Sequence, residues 1–337
     1  MSTGKTLPDL IEATSETVGE EVFYRYANGL QIKTEIFFKS DPQRILPLGG
    51  PQGSLMNHIL NFPEGVRGKR VFEPFAGSGA LGFMALKAGA QRVDFLDINP
   101  RAAEFHLDNA ALNKFQADQF TSITGDIASF APERKYDLIL ANPPFVPIPD
   151  GLEGTLTSNG GSEGSRFVEI LLDRLEQFLE PTGRALVYVF QFVREGEPLI
   201  FERLGAMAKT RPIELTPTQK HPLPFESYSK AYGQLFPNAT GEIEQWRSEL
   251  VERHGSGLTL CHYIIDIGPR SDGPGACVIR ENFAEKFGAN FLVPSENEAE
   301  LGFSRACENF VPPPVVTNPV TNPATNPVTN EAAGSQD

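Results

Sequence analysis

The stretch Tyr136-Asp137-Leu138-Ile139-Leu140-Ala141-Asn142-Pro143-Pro144-Phe145 limits the possible folds of this chain more than any other. Ile139, Leu140 and Ala141 form a continuous apolar run, the pattern of a parallel strand covered on both faces. Pro143 and Pro144 then stop the ladder, because proline has no N–H to donate and its φ is locked at about −65°. An Asn preceding Pro is held in extended backbone, so the amide of Asn142 is aimed in a set direction. Phe145 adds an aromatic plane at the strand's carboxyl end, where open α/β sheets bind ligands. A strand-ending turn accounts for Asn-Pro alone; Asn-Pro-Pro-Phe directly after an apolar strand points to a site.

Other segments repeat this alternation. Strands are expected over 70–75, 91–97, 122–126, 136–141, 184–192 and 258–267, separated by helical segments. Asn99 and Pro100 stand as a helix cap and first-turn proline. Strands alternating with helices give a doubly wound, mostly parallel sheet of seven strands, Rossmann-like in kind. Ahead of it, Asn28-Gly29 between two apolar-rich runs signals a hairpin, since both residues tolerate the positive φ of a type I′ turn. A short helix around Leu7 to Glu16 precedes the hairpin and another, Gln52 to Leu60, follows it. The expected organisation is an N-terminal hairpin-and-helix extension over 1–65, serving as lid or docking element, and a main domain over 66–310. The main domain carries an insert at about 211–257. Residues 211–240 read as a long Pro- and aromatic-rich loop; a helix is expected near 281–287. The repeated Thr-Asn-Pro of 311–337 has too few large apolar residues for a core and is expected to be disordered.

Composition excludes several classes. The 337 residues are 40% hydrophobic and 21% charged, ordinary for a globular chain, with a formal net charge of −14. That charge opposes a broad basic surface for duplex DNA or RNA. No apolar run approaches a membrane span of about 20 residues, and the N-terminus lacks a signal-peptide core. Three cysteines without CxxC spacing argue against a disulfide framework or a metal site. A cytoplasmic protein is the resulting expectation; its oligomeric state is not legible.

Gly77, Gly79 and Gly82 satisfy G-x-G-x-x-G, which suits a tight turn approaching a nucleotide. Asp97, ending the next strand, can accept from both ribose hydroxyls. A nicotinamide-dependent oxidoreductase could claim both features. Glu73 opposes it, because a carboxylate beside a pyrophosphate repels. Asp126 adds another acid at the third strand's end. A cationic, phosphate-free nucleoside suits this acidic ring better than a dinucleotide.

Glu73-Pro-Phe-Ala-Gly-Ser-Gly, Phe95-Leu-Asp97-Ile-Asn-Pro, Thr124-Gly-Asp126-Ile and Asn142-Pro-Pro-Phe145 follow one another as four motifs. In this order they resemble class I S-adenosylmethionine-dependent methyltransferases over residues 68 to 195. The Asn-Pro-Pro-aromatic form is similar to that of enzymes methylating a conjugated nitrogen, including HemK-like glutamine, small-domain ribosomal RNA and DNA adenine enzymes. The resemblance implies S-adenosylmethionine as cofactor, leaving as S-adenosylhomocysteine. It places Phe75, Ala76, Gly77 and Gly79 against the cofactor, with Glu73 near its ammonium. It implies Asp97 on the ribose, Ile98 and Ile127 around adenine, and Asp126 on the adenine amine. Asn142 and the Pro143 carbonyl would accept from the target nitrogen, with Phe145 stacked on the target.

The acceptor is the open element. A small metabolite carrying an amine or amide is placed slightly ahead of a peptide, and nucleic acid behind both. His221, Phe225 and Tyr228 are candidate substrate contacts from the aromatic segment, whereas Trp246 and the remaining histidines read as structural. A binding module that kept the fold without chemistry would show degraded motifs, and all four stand intact.

Overall fold

The computed structural model describes residues 13–280, apart from 38, 40, 42, 62, 153–157, 219–221 and 274. The chain opens with three strands, β1 (Ala13–Val18), β2 (Glu21–Tyr26) and β3 (Gln31–Glu35), followed by α1 (Gly50–Asn61). Next come β4 (Arg70–Pro74), α2 (Ala80–Lys87), β5 (Arg92–Asp97), α3 (Ala102–Asn113), β6 (Phe120–Thr124) and β7 (Tyr136–Ala141). Beyond the tip loop lie α4 (Arg166–Asp173), α5 (Leu175–Phe178), β8 (Leu179–Arg194), β9 (Glu197–Pro198) and α6 (Phe201–Met207). The described chain ends with β10 (Ile213–Pro217), β11 (Leu223–Pro224), α7 (Phe225–Leu235), α8 (Thr240–His254), β12 (Thr259–Ile267) and β13 (Cys277–Ile279).

The main sheet has the order β13-β10-β12-β8-β7-β4-β5-β6. From β6 to β8 every pairing is parallel, and β12 runs antiparallel between β8 and β10. Seven principal strands thus form the doubly wound sheet, and β13 adds an edge beside β10. Alternation along each strand supplies both faces. Val71, Leu138, Leu140 and Leu186 join Leu55, Met56, Leu81 and Phe83 of α1 and α2. Phe72, Ile139, Ala141 and Ala185 face Val168, Leu171, Leu175 and Leu204 of the helices opposite.

The hairpin forms at Asn28-Gly29, but not through the expected type I′ turn: only Gly29 of the pair has positive φ, at +80°, and its amide donates to the Tyr26 carbonyl at 2.8 Å to close a turn over Ala27-Asn28. Its third strand is β1, where a helix reaching Glu16 was expected; the part of that helix before residue 13 lies outside the described residues. The edge of β3 docks on α3 through side chains. Asn109 and Asn113, one turn apart, each exchange two hydrogen bonds with the main chain of Lys33 and Gln31, at 2.6 to 3.1 Å.

Two further expectations need correction. Residues 211–240 are not a loop: β10 is a full sheet strand, and β11 and α7 follow it. Inserted structure therefore begins after Pro217. Ser165 to Leu179 reads in the sequence as one helix stopped by Pro181-Thr182-Gly183, but it breaks at Arg174, and Leu179 already pairs with Tyr136, leaving 180–183 as a bulge inside β8. The helix near 281–287 and the 311–337 tail lie outside the described residues.

Candidate active site

A cleft enclosing about 1050 Å³, its open mouth included, lies at the carboxyl ends of β4, β5, β6 and β7. Glu73, Phe75, Ala76, Gly77, Asp97, Ile98, Asp126, Ile127 and Asn142 all line it. Four separate motifs therefore converge on one space.

The turn after β4 is shaped by backbone. Phe75 has φ +60°, a left-handed conformation that costs a bulky residue energy and that clusters at ligand-binding turns. Gly77, at φ +52°, has nothing within 4 Å of where a Cβ would sit, so ligand can approach its backbone. Gly79 does a different task from the one expected. It does not line the cleft; a Cβ there would strike Phe83, His106 and Phe95 at 2.9 to 3.1 Å. Its absence of side chain lets the turn pack on the aromatic core.

The acids are held by amides. The carboxylate of Glu73, only 3% exposed, accepts from Gly82 N–H at 2.6 Å and Leu81 N–H at 3.3 Å. Burial pushes its pKa up to about 8, against those two bonds. Asp97 accepts from Gly77 N–H at 2.7 Å and Asn99 N–H at 2.8 Å, and burial raises its pKa as well. Asp126 lies exposed at the rim, with one oxygen on Ala128 N–H at 2.8 Å. Ile98 is 54% exposed while Ile127 is buried, so two apolar side chains border the cleft.

The tip of β7 carries the sharpest feature. Asn142 Oδ1 is buried and has no hydrogen-bond partner among the described residues. Such an acceptor costs about 1–3 kcal/mol unless something else satisfies it. Pro144, rather than Pro143, faces the cleft. Phe145 is absent from the lining and sets its ring against Tyr188 and His262, with centroids 5.6 and 5.8 Å away. Residues 145–148 are braced by the glycine-rich loop: Val146 N–H donates to Ser158 and Gly160 N–H to Val146, both at 2.9 Å. A Cβ on Gly164 would meet the Phe145 carbonyl at 2.4 Å, which explains glycine there.

Two substrate candidates turn out to be core. Phe225 is 2% and Tyr228 1% exposed, packed with Phe192, Phe190 and Trp246. Helical spacing buries both on the inner side of α7, and the Tyr228 hydroxyl donates to the Pro147 carbonyl at 3.0 Å. His221 lies outside the described residues. Trp246 is buried as expected and donates to the Ser162 carbonyl at 3.0 Å. Sequence reading missed Ile45, Leu46, Leu48 and Gln52, which line the cleft from before the main sheet, and Phe167 of α4, in edge contact with Phe75 at 5.9 Å. No local pattern marked any of them. Among the described residues, no group of His, Cys, Asp and Glu is placed to hold a metal ion.

Residues 54–157 match the family profile described as Methyltransferase small domain, which spans the four converging motifs. Residues 54–157 are thus similar to a methyltransferase small domain. The Asn142 oxygen, unpartnered among the described residues, the open Gly77 backbone and the amide-held acids fit S-adenosylmethionine, the cofactor that the motifs imply. A provisionally named protein N5-glutamine methyltransferase of Methanocaldococcus jannaschii is 29% identical over 148 residues, 41% of this chain and 70% of that protein. The release factor glutamine methyltransferase of Aquifex aeolicus is 28% identical over 33% of this chain and 43% of its own length. The tRNA1(Val) (adenine(37)-N6)-methyltransferase of Shewanella loihica is 28% identical over 35% of this chain and 50% of its own. The similarity thus spans half or less of two of these three relatives. No helix among the described residues is long and apolar enough to cross a membrane.

Proposed function

We propose that the chain transfers a methyl group from S-adenosylmethionine to an amide or amine nitrogen. The observation carrying this reading is Asn142 Oδ1, buried without a partner on the wall of the cleft. An oxygen so placed accepts an N–H from the acceptor. S-Adenosylmethionine supplies an electrophilic methyl group on a sulfonium. Asn142 fixes the nitrogen and draws its N–H bonds out of conjugation, freeing the lone pair for the new N–C bond. The displaced proton leaves to solvent after transfer, so no strong general base is needed. Orientation of this kind supplies up to about 7–11 kcal/mol in favourable cases. Glu73 and Asp97 serve the cofactor's ammonium and ribose, and Ile98 and Ile127 its adenine.

We take the acceptor to be a small molecule. Asn142 lines the cleft, and helix α7 ties down the tip loop through Tyr228, which supports an enclosed acceptor side. A protein glutamine is the second reading, favoured by the names of two relatives. A net charge of −14 sets RNA behind both.

Calorimetry with S-adenosylhomocysteine and NAD tests the cofactor, and failure to bind the former sinks the proposal. Transfer of tritiated methyl to cell extract, separated by mass, tests the acceptor. Label in the low-mass fraction is expected; label confined to protein would select the glutamine reading.

A further inference from the structure

The matched domain begins at residue 54, yet part of the cleft wall lies before it. Ile45, Leu46, Leu48 and Gln52 form this part of the wall, in the same cleft as the acids. Ile45, Leu46 and Leu48 stand between β3 and α1, and Gln52 lies in the first turn of α1.

What holds the wall is an unusually dense polar connection. Arg101 grips Glu35 with both arms, at 2.6 and 2.9 Å, and reaches Asp41 at 2.7 Å and the Gln43 carbonyl at 3.3 Å. Glu35 is 3% exposed, and its main chain and side chain both bond Ile45, the Ile45 N–H donating to Glu35 Oε2 at 2.8 Å. Lys39 also donates to Glu35. Asn99 donates to the Gln43 carbonyl at 2.7 Å while its own N–H bonds Asp97. A continuous path therefore runs from Asp97 to the wall. Ile45 packs on Ala102 and Phe105 of the same helix that carries the Arg101 end. Gln52 uses its oxygen on the Gly49 N–H at 3.0 Å and leaves its NH2 without a partner among the described residues.

We infer that residues 43–52 are part of the cofactor site, with Gln52 and Leu48 as contacts, and that Arg101 is a positioning residue whose bidentate grip on Glu35 sets this wall against Asp97. The inference rests on the methyltransferase reading and extends it beyond the matched domain. A bidentate pair is geometrically strict, so lysine cannot replace the arginine without loss. The wall covers the side of the nucleoside cleft that the four motifs leave open, and a small apolar surface with one amide donor suits the cofactor's mixed chemistry.

Hydrogen exchange and calorimetry on the full chain, with S-adenosylhomocysteine as probe, test it. Binding to the unaltered protein is expected to protect the amides of residues 43–52. Gln52→Ala and Arg101→Lys are each expected to weaken binding about tenfold, the loss of one or two hydrogen bonds. Arg101→Lys should act by faster dissociation while its circular dichroism stays native. If that variant fails to fold, Gln52→Ala decides, being half-buried and outside the ion-pair cluster. Binding without protection of 43–52, or with unaltered affinity in Gln52→Ala, overturns the inference and leaves the methyltransferase reading standing. No binding to the unaltered protein overturns both.

Discussion

Asp97 Oδ2 accepts the Gly77 N–H at 2.7 Å, so the acid of the second strand holds the turn of the first. Asp97 thus has two tasks, anchoring the turn and offering its remaining lone pairs to a ribose. Asp97→Ala is expected to lower S-adenosylhomocysteine affinity about 100-fold, while Asp97→Asn, which keeps one acceptor oxygen, should lose about tenfold. Calorimetry on both variants checks the ranking; equal losses would separate the turn from the ligand.

Glu73 links the site to pH. Its pKa stands at about 8 in the folded chain against an ordinary 4.5, because burial opposes the charge. Between those values the folded chain holds a proton that the unfolded chain has released, so stability falls as pH rises through the window. Denaturant unfolding from pH 5 to 8 should show this decline, and Glu73→Gln should flatten it. A cationic cofactor group beside Glu73 restores its charge, so binding should release a proton at neutral pH. Calorimetry in buffers of different ionisation enthalpy reads that proton, and its persistence in Glu73→Gln would assign it elsewhere.

Asn142→Ala is expected to abolish methyl transfer while S-adenosylhomocysteine affinity stays within a few-fold. The lost group is an acceptor oxygen without a hydrogen-bond partner among the described residues. Turnover retained in this variant, once an acceptor is in hand, would show that Asn142 does not orient it.

Tyr228→Phe removes one buried hydrogen bond, to the Pro147 carbonyl, and leaves the ring in place. A loss of about 1 kcal/mol in unfolding free energy is expected, with unchanged cofactor affinity. An unchanged stability would mean that α7 does not hold the tip loop through this bond.

Gly82→Ala should destabilise by about 1–3 kcal/mol or more, the cost of overpacking a filled core. A Cβ there would meet Phe95 at 2.4 Å, Val93 at 2.6 Å and Glu73 Oε2 at 2.7 Å. Because Glu73 is among the atoms struck, weaker cofactor binding is expected alongside the lower stability.

The central strands were legible because burial on both faces forces continuous apolar runs, and Gly, Pro and Asn punctuate their ends. Asn28-Gly29 marked the hairpin for an equally local reason. β1 was not legible, because Thr14, Ser15 and Glu16 lie on an edge with no deeply buried face and so show no alternation of apolar residues. In the 211–240 segment the prolines drew attention from a helical spacing that was present, Phe225, Tyr228 and Tyr232, all buried on one side of α7. The acids and glycines of the cleft were legible as motifs, yet Gly79 shows that a motif position can serve packing instead of ligand. Leu48, Gln52 and Phe167 reach the cleft only through tertiary structure, which no local pattern encodes.

The exchange of main-chain bonds between β3 and the two asparagines of α3 has one more consequence. A strand at the border of a small sheet offers a row of unpaired amides and carbonyls, a template on which another chain can add itself. Here the side-chain amides of Asn109 and Asn113 occupy that row as a passing strand would. The hairpin unit is thereby guarded against intermolecular β-sheet growth, and replacing either asparagine with alanine would open a self-association seed along β3.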